Sequence, residues 1–215
     1  MIKKLLIAIP CYDTMRPEFV QSLTALMMRL TRDGIPYEVK ILAGTLVYMA
    51  RDALARHAIH NNFSHVLWLD CDMVFQDSIV DDLMISGEKD MVCGLFLSRH
   101  NPYLLTIFSQ MNPTVERVTK VKNDTFRIAA CGFACVLMKT QILQDVMNSN
   151  NGKCFLPTPL LSEDLAFCER ATGCGYQIFC EPTARVGHVG AITIWPEDGE
   201  RLRGEIQNTT GKELN

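Results

Sequence analysis

The sequence predicts an α/β fold, a three-layer α/β/α sandwich with a mixed, mainly parallel central sheet. Over the first hundred residues, short apolar runs of strand length alternate with longer segments whose apolar residues repeat at helical spacing. This alternation is typical of parallel strands joined by helices that cover both faces of a sheet. The second half contains strand-like runs without long helices between them, so the sheet is predicted to be mixed.

The first half is predicted to hold four strands and three helices. These are strand 4–9, helix 17–33, strand 37–42, helix 47–60, strand 65–69, helix 78–86 and strand 90–97. In sheets of this kind, ligands bind beyond the carboxyl ends of the strands. We therefore expect functional residues directly after the strands that end at Ile9, Leu42, Leu69 and Leu97.

The second half is predicted to hold strands 104–108, 115–121, 126–138 and 176–180. A helix is predicted over 163–172, with Ser162 as its N-cap. One domain is predicted over residues 1–190. The segment 191–215 is polar and poor in large apolar residues, so we predict a partly mobile C-terminal tail.

The net charge, the apolar runs and the cysteines indicate which classes of function and which cell compartment to expect. The net charge is −3, so we expect no general nucleic-acid binding, which needs a basic face. The longest apolar runs are too short to span a membrane. The nine cysteines are odd in number, and many lie in apolar runs, which favours free thiols and a cytoplasmic protein.

The most informative stretch is the apolar strand 65–69 followed by Asp70, Cys71 and Asp72. In an extended chain, alternation places the two aspartates on one side. Two close carboxylates repel each other unless a cation joins them, and Mg²⁺ or Mn²⁺ prefers oxygen ligands and commonly bridges to phosphates. A solvated loop that caps the next helix is the structural alternative.

An apolar strand followed by Asp-x-Asp, in the first third of a βαβαβ chain, resembles the GT-A glycosyltransferases, notably family 2. The resemblance extends over roughly residues 2–190. It implies a GT-A fold, a nucleotide-diphosphate-sugar donor and a divalent cation, Mn²⁺ or Mg²⁺, on the donor's diphosphate. It also implies that Asp70 and Asp72 bind the donor ribose and the metal.

Two earlier segments extend the resemblance on the donor side. Residues 7–13, with Pro10, Tyr12 and Asp13, resemble the family's Pro-x-Tyr-Asn segment, which lies along the nucleotide base. Residues 50–55 resemble the Ala-Arg-Asn-x-Ala stretch, which implies that Arg51 faces the nucleotide sugar. Asp13 and Asp52 stand where the family usually has Asn, so the sequence departs from the family's pattern at both positions.

Three later segments also match in order. Residues 131–137 resemble the small-residue segment that lines the acceptor side of the sugar pocket, where Gly132 would let a substrate approach the backbone. Glu163-Asp164 resembles the family's Glu-Asp motif, which implies that Asp164 is the general base of an inverting enzyme. His188, between two glycines, is similar to a late histidine that completes the metal site and suits Mn²⁺.

The resemblance implies transfer of a sugar from the donor, with a UDP-sugar favoured, to an acceptor hydroxyl on a glycan, a lipid-linked sugar or a protein. A retaining enzyme with the same metal site stays open. The short second half has little room for a large acceptor domain. A partner or a second subunit could complete the acceptor side, so a homo-oligomer is a further possibility. Phe133 and Trp195 are candidates to stack on a sugar, with ordinary packing as the alternative.

Three alternatives remain from the sequence. Asp70-Cys71-Asp72 also resembles the first motif of haloacid-dehalogenase-type phosphatases, although that motif normally opens the chain. A sugar nucleotidyltransferase shares the architecture, but it usually has a Gly-rich loop after the first strand, and residues 10–15 contain no glycine. A non-catalytic carbohydrate-binding protein is the third.

Overall fold

A seven-stranded mixed sheet lies at the centre of the structure, a computed structural model that describes residues 2–99 and 103–190. In chain order, the elements of this part are β1 (Leu5–Cys11), α1 (Pro17–Arg32), β2 (Tyr37–Ala43), α2 (Val47–His60), β3 (His65–Leu69), β4 (Met73–Val74), α3 (Ile79–Leu83), β5 (Met91–Leu95), β6 (Ile107–Gln110), β7 (Glu116–Arg117), β8 (Phe126–Ile128), β9 (Ala130–Cys131), β10 (Cys135–Lys139), α4 (Thr140–Ser149), α5 (Glu163–Gly173), β11 (Ile178–Arg185) and β12 (Gly187–His188).

The strand order of the central sheet is β2-β1-β3-β10-β5-β11-β8. Strands β2, β1, β3, β5 and β11 run in one direction, and β10 and β8 run in the other. The carboxyl ends of β1, β3, β5 and β11 therefore meet at one edge of the sheet. This confirms the predicted mixed, mainly parallel sheet.

Helices cover both faces of this sheet. Leu6 and Ala8 of β1 belong to one buried core, together with residues of α2, α4 and α5. Leu5 and Ile7 belong to the opposite core, together with residues of α1 and α3. Side chains alternate between the faces of a strand, so both faces of β1 are buried and the run is apolar throughout. The three-layer arrangement is confirmed.

The first-half elements agree with their predicted bounds more closely than the second-half ones. Helix α2 and strand β3 match the predicted ranges at both ends. The predicted strand 126–138 is wrong as one element, because the chain forms three short strands that pair in two different sheets. The predicted helix 78–86 and strand 115–121 are much shorter in the structure, as α3 and β7.

As predicted, no long helix separates the segments 104–108, 115–121 and 126–138, but the helix that follows them was not predicted. Helix α4 follows β10 directly and has ten residues. Its buried apolar residues are Ile142, Leu143, Val146 and Met147, a spacing typical of one helix face. The pattern was therefore present in the sequence but was hidden by the apolar strand before it.

Phe133 lies in the core rather than at a ligand-binding surface. Only 2% of it is exposed, and its ring packs edge-on against Phe155 and Phe167, with centroid distances of 5.1 Å. The suggestion that Phe133 stacks on a sugar is therefore wrong. Trp195, the other suggested stacking residue, and the predicted tail 191–215 lie outside the described residues. None of the described helices is long and apolar enough to cross a membrane.

Candidate functional site

A cavity of about 310 Å³ opens where β1 and β3 end. Five predicted site residues line it: Pro10, Tyr12, Asp70, Asp72 and His188. They come from three separate parts of the chain, which the parallel strands bring to the same edge of the sheet. The position agrees with the rule that ligands bind beyond the carboxyl ends of such strands.

The two aspartates follow β3 in a turn rather than in an extended strand. The backbone N–H of Asp70 donates to the carbonyl of Ala134 at 3.1 Å, and that of Met73 donates to the carbonyl of Asp70 at 3.3 Å. The expectation of simple alternation is therefore wrong for this segment. Both aspartates nevertheless line the cavity, with different partners.

Asp72 lies between two cationic groups. Its Oδ2 is 2.6 Å from Nη1 of Arg99 and 3.3 Å from Nε2 of His188. Burial alone would raise the pKa of the Asp72 carboxyl, but the hydrogen bond and charge of His188 and the charge of Arg99 outweigh it and lower the pKa. Asp72 is therefore a carboxylate at neutral pH.

His188 reaches Asp72 because β12 pairs antiparallel with β4, which follows the aspartates in sequence. The Nδ1 atom of His188 is 2.9 Å from the carbonyl oxygen of Leu97. A carbonyl can only accept, so Nδ1 carries a hydrogen and Nε2 faces Asp72. The pKa of His188 is raised, chiefly by the hydrogen bond to Asp72.

Asp72 and His188 carry ligand atoms of the kinds that bind divalent cations. They offer one carboxylate oxygen and one imidazole nitrogen, and the carbonyl of Leu97 fixes the ring in the orientation that metal-binding histidines usually have. Within residues 2–99 and 103–190, no group of three or more His, Cys, Asp or Glu is arranged to hold a metal. In this part of the chain, Asp72 and His188 together would offer a cation two ligands.

Asp70 has a partner of its own, the nearly buried Arg51. Nη2 of Arg51 lies 2.9 Å from Oδ1 of Asp70, and Nη1 lies 2.8 Å from Oε1 of Glu163. Burial would lower the pKa of Arg51, but the two carboxylates outweigh it and raise the pKa, while burial raises the pKa of Glu163. Only 3% of Arg51 is exposed, so it joins the Asp70 turn to the start of α5 from below the cavity.

Asp52, the neighbour of Arg51 on α2, faces away from the cavity. It is 2% exposed, and its Oδ1 accepts the backbone N–H groups of Cys154 and Phe155 at 2.8 and 2.9 Å. A carboxylate is a stronger acceptor for these donors than an amide, so Asp is well suited here. Its role is to anchor the segment before α5.

Asp164 stands at the start of α5, beside Gly132. A Cβ at Gly132 would lie 3.7 Å from Oδ2 of Asp164 and 3.3 Å from Cζ of Phe96. Oδ1 of Asp164 accepts the hydroxyl of Ser162 and, at 2.8 Å, the backbone N–H of Leu165. A side chain at Gly132 would thus contact the other oxygen of Asp164.

The loop after β1 is only partly in the cavity. The Tyr12 side chain is largely exposed at its mouth, and the Tyr12 carbonyl accepts the N–H of Gly44 at 3.1 Å. Asp13 is not among the lining residues, and its Oδ1 accepts the backbone N–H of Thr14 at 2.6 Å. A contact of this loop with a nucleotide base stays a prediction.

Arg99 is the main site residue that the sequence analysis did not identify. It follows β5, and it lines both the first cavity and a second cavity of about 620 Å³. His188 also borders both cavities, so the two spaces meet at these residues. A signal did exist, since a basic residue directly after a central parallel strand stands where ligands bind.

Two solved structures of other proteins are similar to this chain. Protein A197 from STIV aligns with a TM-score of 0.56 and 14% identity, over 90% of this chain and 96% of that one. The inositol-1-phosphate CTP transferase from T. maritima aligns with a TM-score of 0.51 and 9% identity, over 96% of both chains. No protein-family model and no curated protein sequence matches. The chain therefore shares the α/β fold of these two structures, a nucleotide-diphospho-sugar transferase-like fold.

Proposed function

We propose that this protein is a divalent-metal-dependent glycosyltransferase that takes a sugar from a nucleotide-diphosphate donor. The observation that supports this most directly is the meeting of Asp70, Asp72 and His188 at one cavity, on the edge of the sheet where such folds bind ligands. A UDP-sugar is the favoured donor, and the acceptor group is a hydroxyl.

The donor lies in the first cavity, between the loop after β1 and the aspartate turn. Pro10 and Tyr12 border the nucleoside, and Asp70 binds the ribose with its orientation fixed by Arg51. Arg51 acts as a positioning residue, since its guanidinium is buried against two carboxylates. Arg99 provides a positive charge beside the diphosphate.

Asp72 and His188 are the proposed holders of Mn²⁺ or Mg²⁺. A bound cation there supplies positive charge to the leaving diphosphate. The ion pair between Asp72 and Arg99 has to open for this, because Oδ2 of Asp72 already contacts Arg99 at 2.6 Å. His188 can act as a ligand only with Nε2 free of a proton, and its raised pKa disfavours that form.

Asp164 is the proposed general base. Its Oδ2 lies beside Gly132, and its Oδ1 is held by Ser162 and Leu165. It removes the proton of the acceptor hydroxyl as the hydroxyl oxygen attacks the anomeric carbon and the nucleoside diphosphate leaves. This route inverts the anomeric configuration, and the anomer formed from a defined donor tests it.

The primary experiment is a thermal-shift panel of UDP-, GDP-, dTDP- and CMP-sugars, each with and without Mn²⁺. The panel compares wild type with Asp72→Asn and with Asp124→Asn, a matched change at an exposed aspartate. We expect a metal-dependent rise in melting temperature for one nucleotide class, retained in Asp124→Asn and lost in Asp72→Asn. No shift with folded wild-type protein, or full turnover by Asp72→Asn, would refute the proposal.

The alternatives predict different products. A nucleotidyltransferase would release pyrophosphate from a nucleoside triphosphate and a sugar phosphate, and the loop 11–16 has no glycine to cradle a triphosphate. A phosphatase would use Asp70 as nucleophile, but that carboxylate is paired with Arg51 at 2.9 Å. A non-catalytic binding protein would show the thermal shift without release of free nucleoside diphosphate.

A further inference from the structure

The second cavity has apolar walls and a positive charge. Phe96, Leu97, Tyr103 and Leu105 form much of its wall. Arg99 and Arg185 also line it, and none of its described lining residues is acidic. A cavity with aromatic and aliphatic walls and a few convergent charges is typical of a small-molecule site. The charge here is suited to an anion.

Arg185 is the cation of this cavity that is free to bind. It is the last residue of β11, directly opposite Leu95 of β5, and its side chain is exposed. No side-chain hydrogen bond or ion pair joins its guanidinium to any residue in the described part of the chain. Arg99, in contrast, is already paired with Asp72.

The cavity lies next to the proposed base. Phe96 forms part of its wall, and the far end of the Phe96 ring approaches Gly132, on the same side as Oδ2 of Asp164. Leu105 lines the cavity as well, and the next residue, Thr106, also contacts the position of Gly132. Phe96 and the chain at Leu105 and Thr106 therefore connect the wall of this cavity to the surroundings of Asp164.

We propose that the second cavity binds the acceptor through a phosphate monoester carried on an apolar group, with Arg185 as the principal ligand. That the bound molecule is the acceptor rests on the proposed function, but the anion-binding site does not depend on it. The planar guanidinium of Arg185 matches two phosphate oxygens, and the aromatic walls cover the apolar group. In this proposal, the acceptor hydroxyl is the group that Asp164 deprotonates.

The test measures binding of phenyl phosphate, inorganic phosphate and the neutral phenyl β-glucoside by calorimetry. Wild type is compared with Arg185→Gln, Arg185→Lys and, as a matched control, Arg127→Gln at an exposed arginine of β8. We expect phenyl phosphate to bind best, with affinity about tenfold lower in Arg185→Gln, partly restored in Arg185→Lys and unchanged in Arg127→Gln. Equal affinities in all four proteins, or stronger binding of the neutral glucoside, would overturn the proposal.

Two further measurements complete the test. One distinguishes a lipid phosphate from a soluble phosphate, and the other distinguishes the anion site from the transferase function. Arg185-dependent retention on vesicles with phosphatidic acid, but not on phosphatidylcholine vesicles, would identify a lipid phosphate. Binding of phenyl phosphate without such retention would identify a soluble acceptor. The nucleotide-sugar thermal shift is measured on the same proteins. If phosphate binding depends on Arg185 but no nucleotide sugar gives a thermal shift, the anion site is supported and the transferase function is refuted.

Discussion

Nη1 of Arg99 forms an ion pair with Oδ2 of Asp72 at 2.6 Å, at the point where the two cavities meet. A cation of the chain and a divalent metal thus compete for the same oxygen. The side chain of Arg99 is half exposed, so the pair is screened by water and is easily opened.

Replacing Arg99 by Ala is expected to strengthen metal binding. The change removes a positive charge next to Asp72, and we expect the Kd for Mn²⁺ in the absence of nucleotide to fall about threefold to tenfold. Titration of Mn²⁺ followed by its electron paramagnetic resonance signal measures this. Arg127→Ala is the control and should match wild type. Weaker binding by Arg99→Ala would mean that Asp72 does not hold the metal.

Asp164→Asn is expected to lower turnover while sparing the donor. An amide cannot take a proton at neutral pH, so kcat should fall by about 10² to 10⁴. The thermal shift with the nucleotide sugar should remain, because Asp164 does not line the donor cavity. Glu169→Gln, an exposed acid on the same helix, serves as the control. Loss of donor binding in Asp164→Asn would reassign the residue to the donor site.

Arg51→Met is expected to destabilise the fold by about 3–5 kcal/mol. The change leaves the carboxylates of Asp70 and Glu163 without their shared partner, although Met keeps much of the packing volume. Urea unfolding at neutral pH measures the loss. The double change Arg51→Met with Glu163→Gln should recover part of it, and equal stability of the single and double variants would contradict the pairing.

Asp52→Ala should cost more stability than Asp52→Asn. Oδ1 of Asp52 accepts two buried backbone N–H groups, and Ala leaves both without a partner, at a cost of about 2–4 kcal/mol. Asn keeps an oxygen acceptor and loses only the charge. Urea midpoints of the two variants measure the difference. Equal midpoints would mean that water replaces the carboxylate.

His65 is expected to make stability depend on pH. Burial lowers its pKa in the folded protein, while the unfolded chain has a pKa of about 6.5. The neutral form is favoured by folding, so its contribution is complete above about pH 6.5 and decreases as the pH falls towards the lowered folded pKa. His65→Gln should therefore lose less stability than wild type between pH 7.5 and 5.5. His60→Gln, at an exposed position, should keep the wild-type dependence.

The fold and the location of the site could be predicted because they depend on local patterns. The apolar run of β3 fixes a buried strand, and two acids after it mark the ligand-binding edge. Glycines on both sides of His188 indicated a loop that passes close to another group. Each of these signals occupies only a few consecutive residues, so each can be read without knowledge of the rest of the chain.

The partners of the site residues could not be predicted in the same way. Arg51 and Asp52 are adjacent, and successive residues of a helix point in directions about 100° apart, so different roles were foreseeable. Which groups they contact depends on segments more than a hundred positions away. The pairing of Arg99 with Asp72 likewise depends on how the chain leaves β5.

These distant links also govern the order in which the protein can fold. Arg51 meets Glu163 across 112 positions of sequence, and Asp52 meets Cys154 across 102. Until the later segments arrive, helix α2 carries two charged side chains that a forming core cannot bury without cost. We therefore expect the strands of the first half to associate early and the site to become rigid only in the last, cooperative step of folding. Binding competence and the complete native state should therefore appear together in refolding experiments.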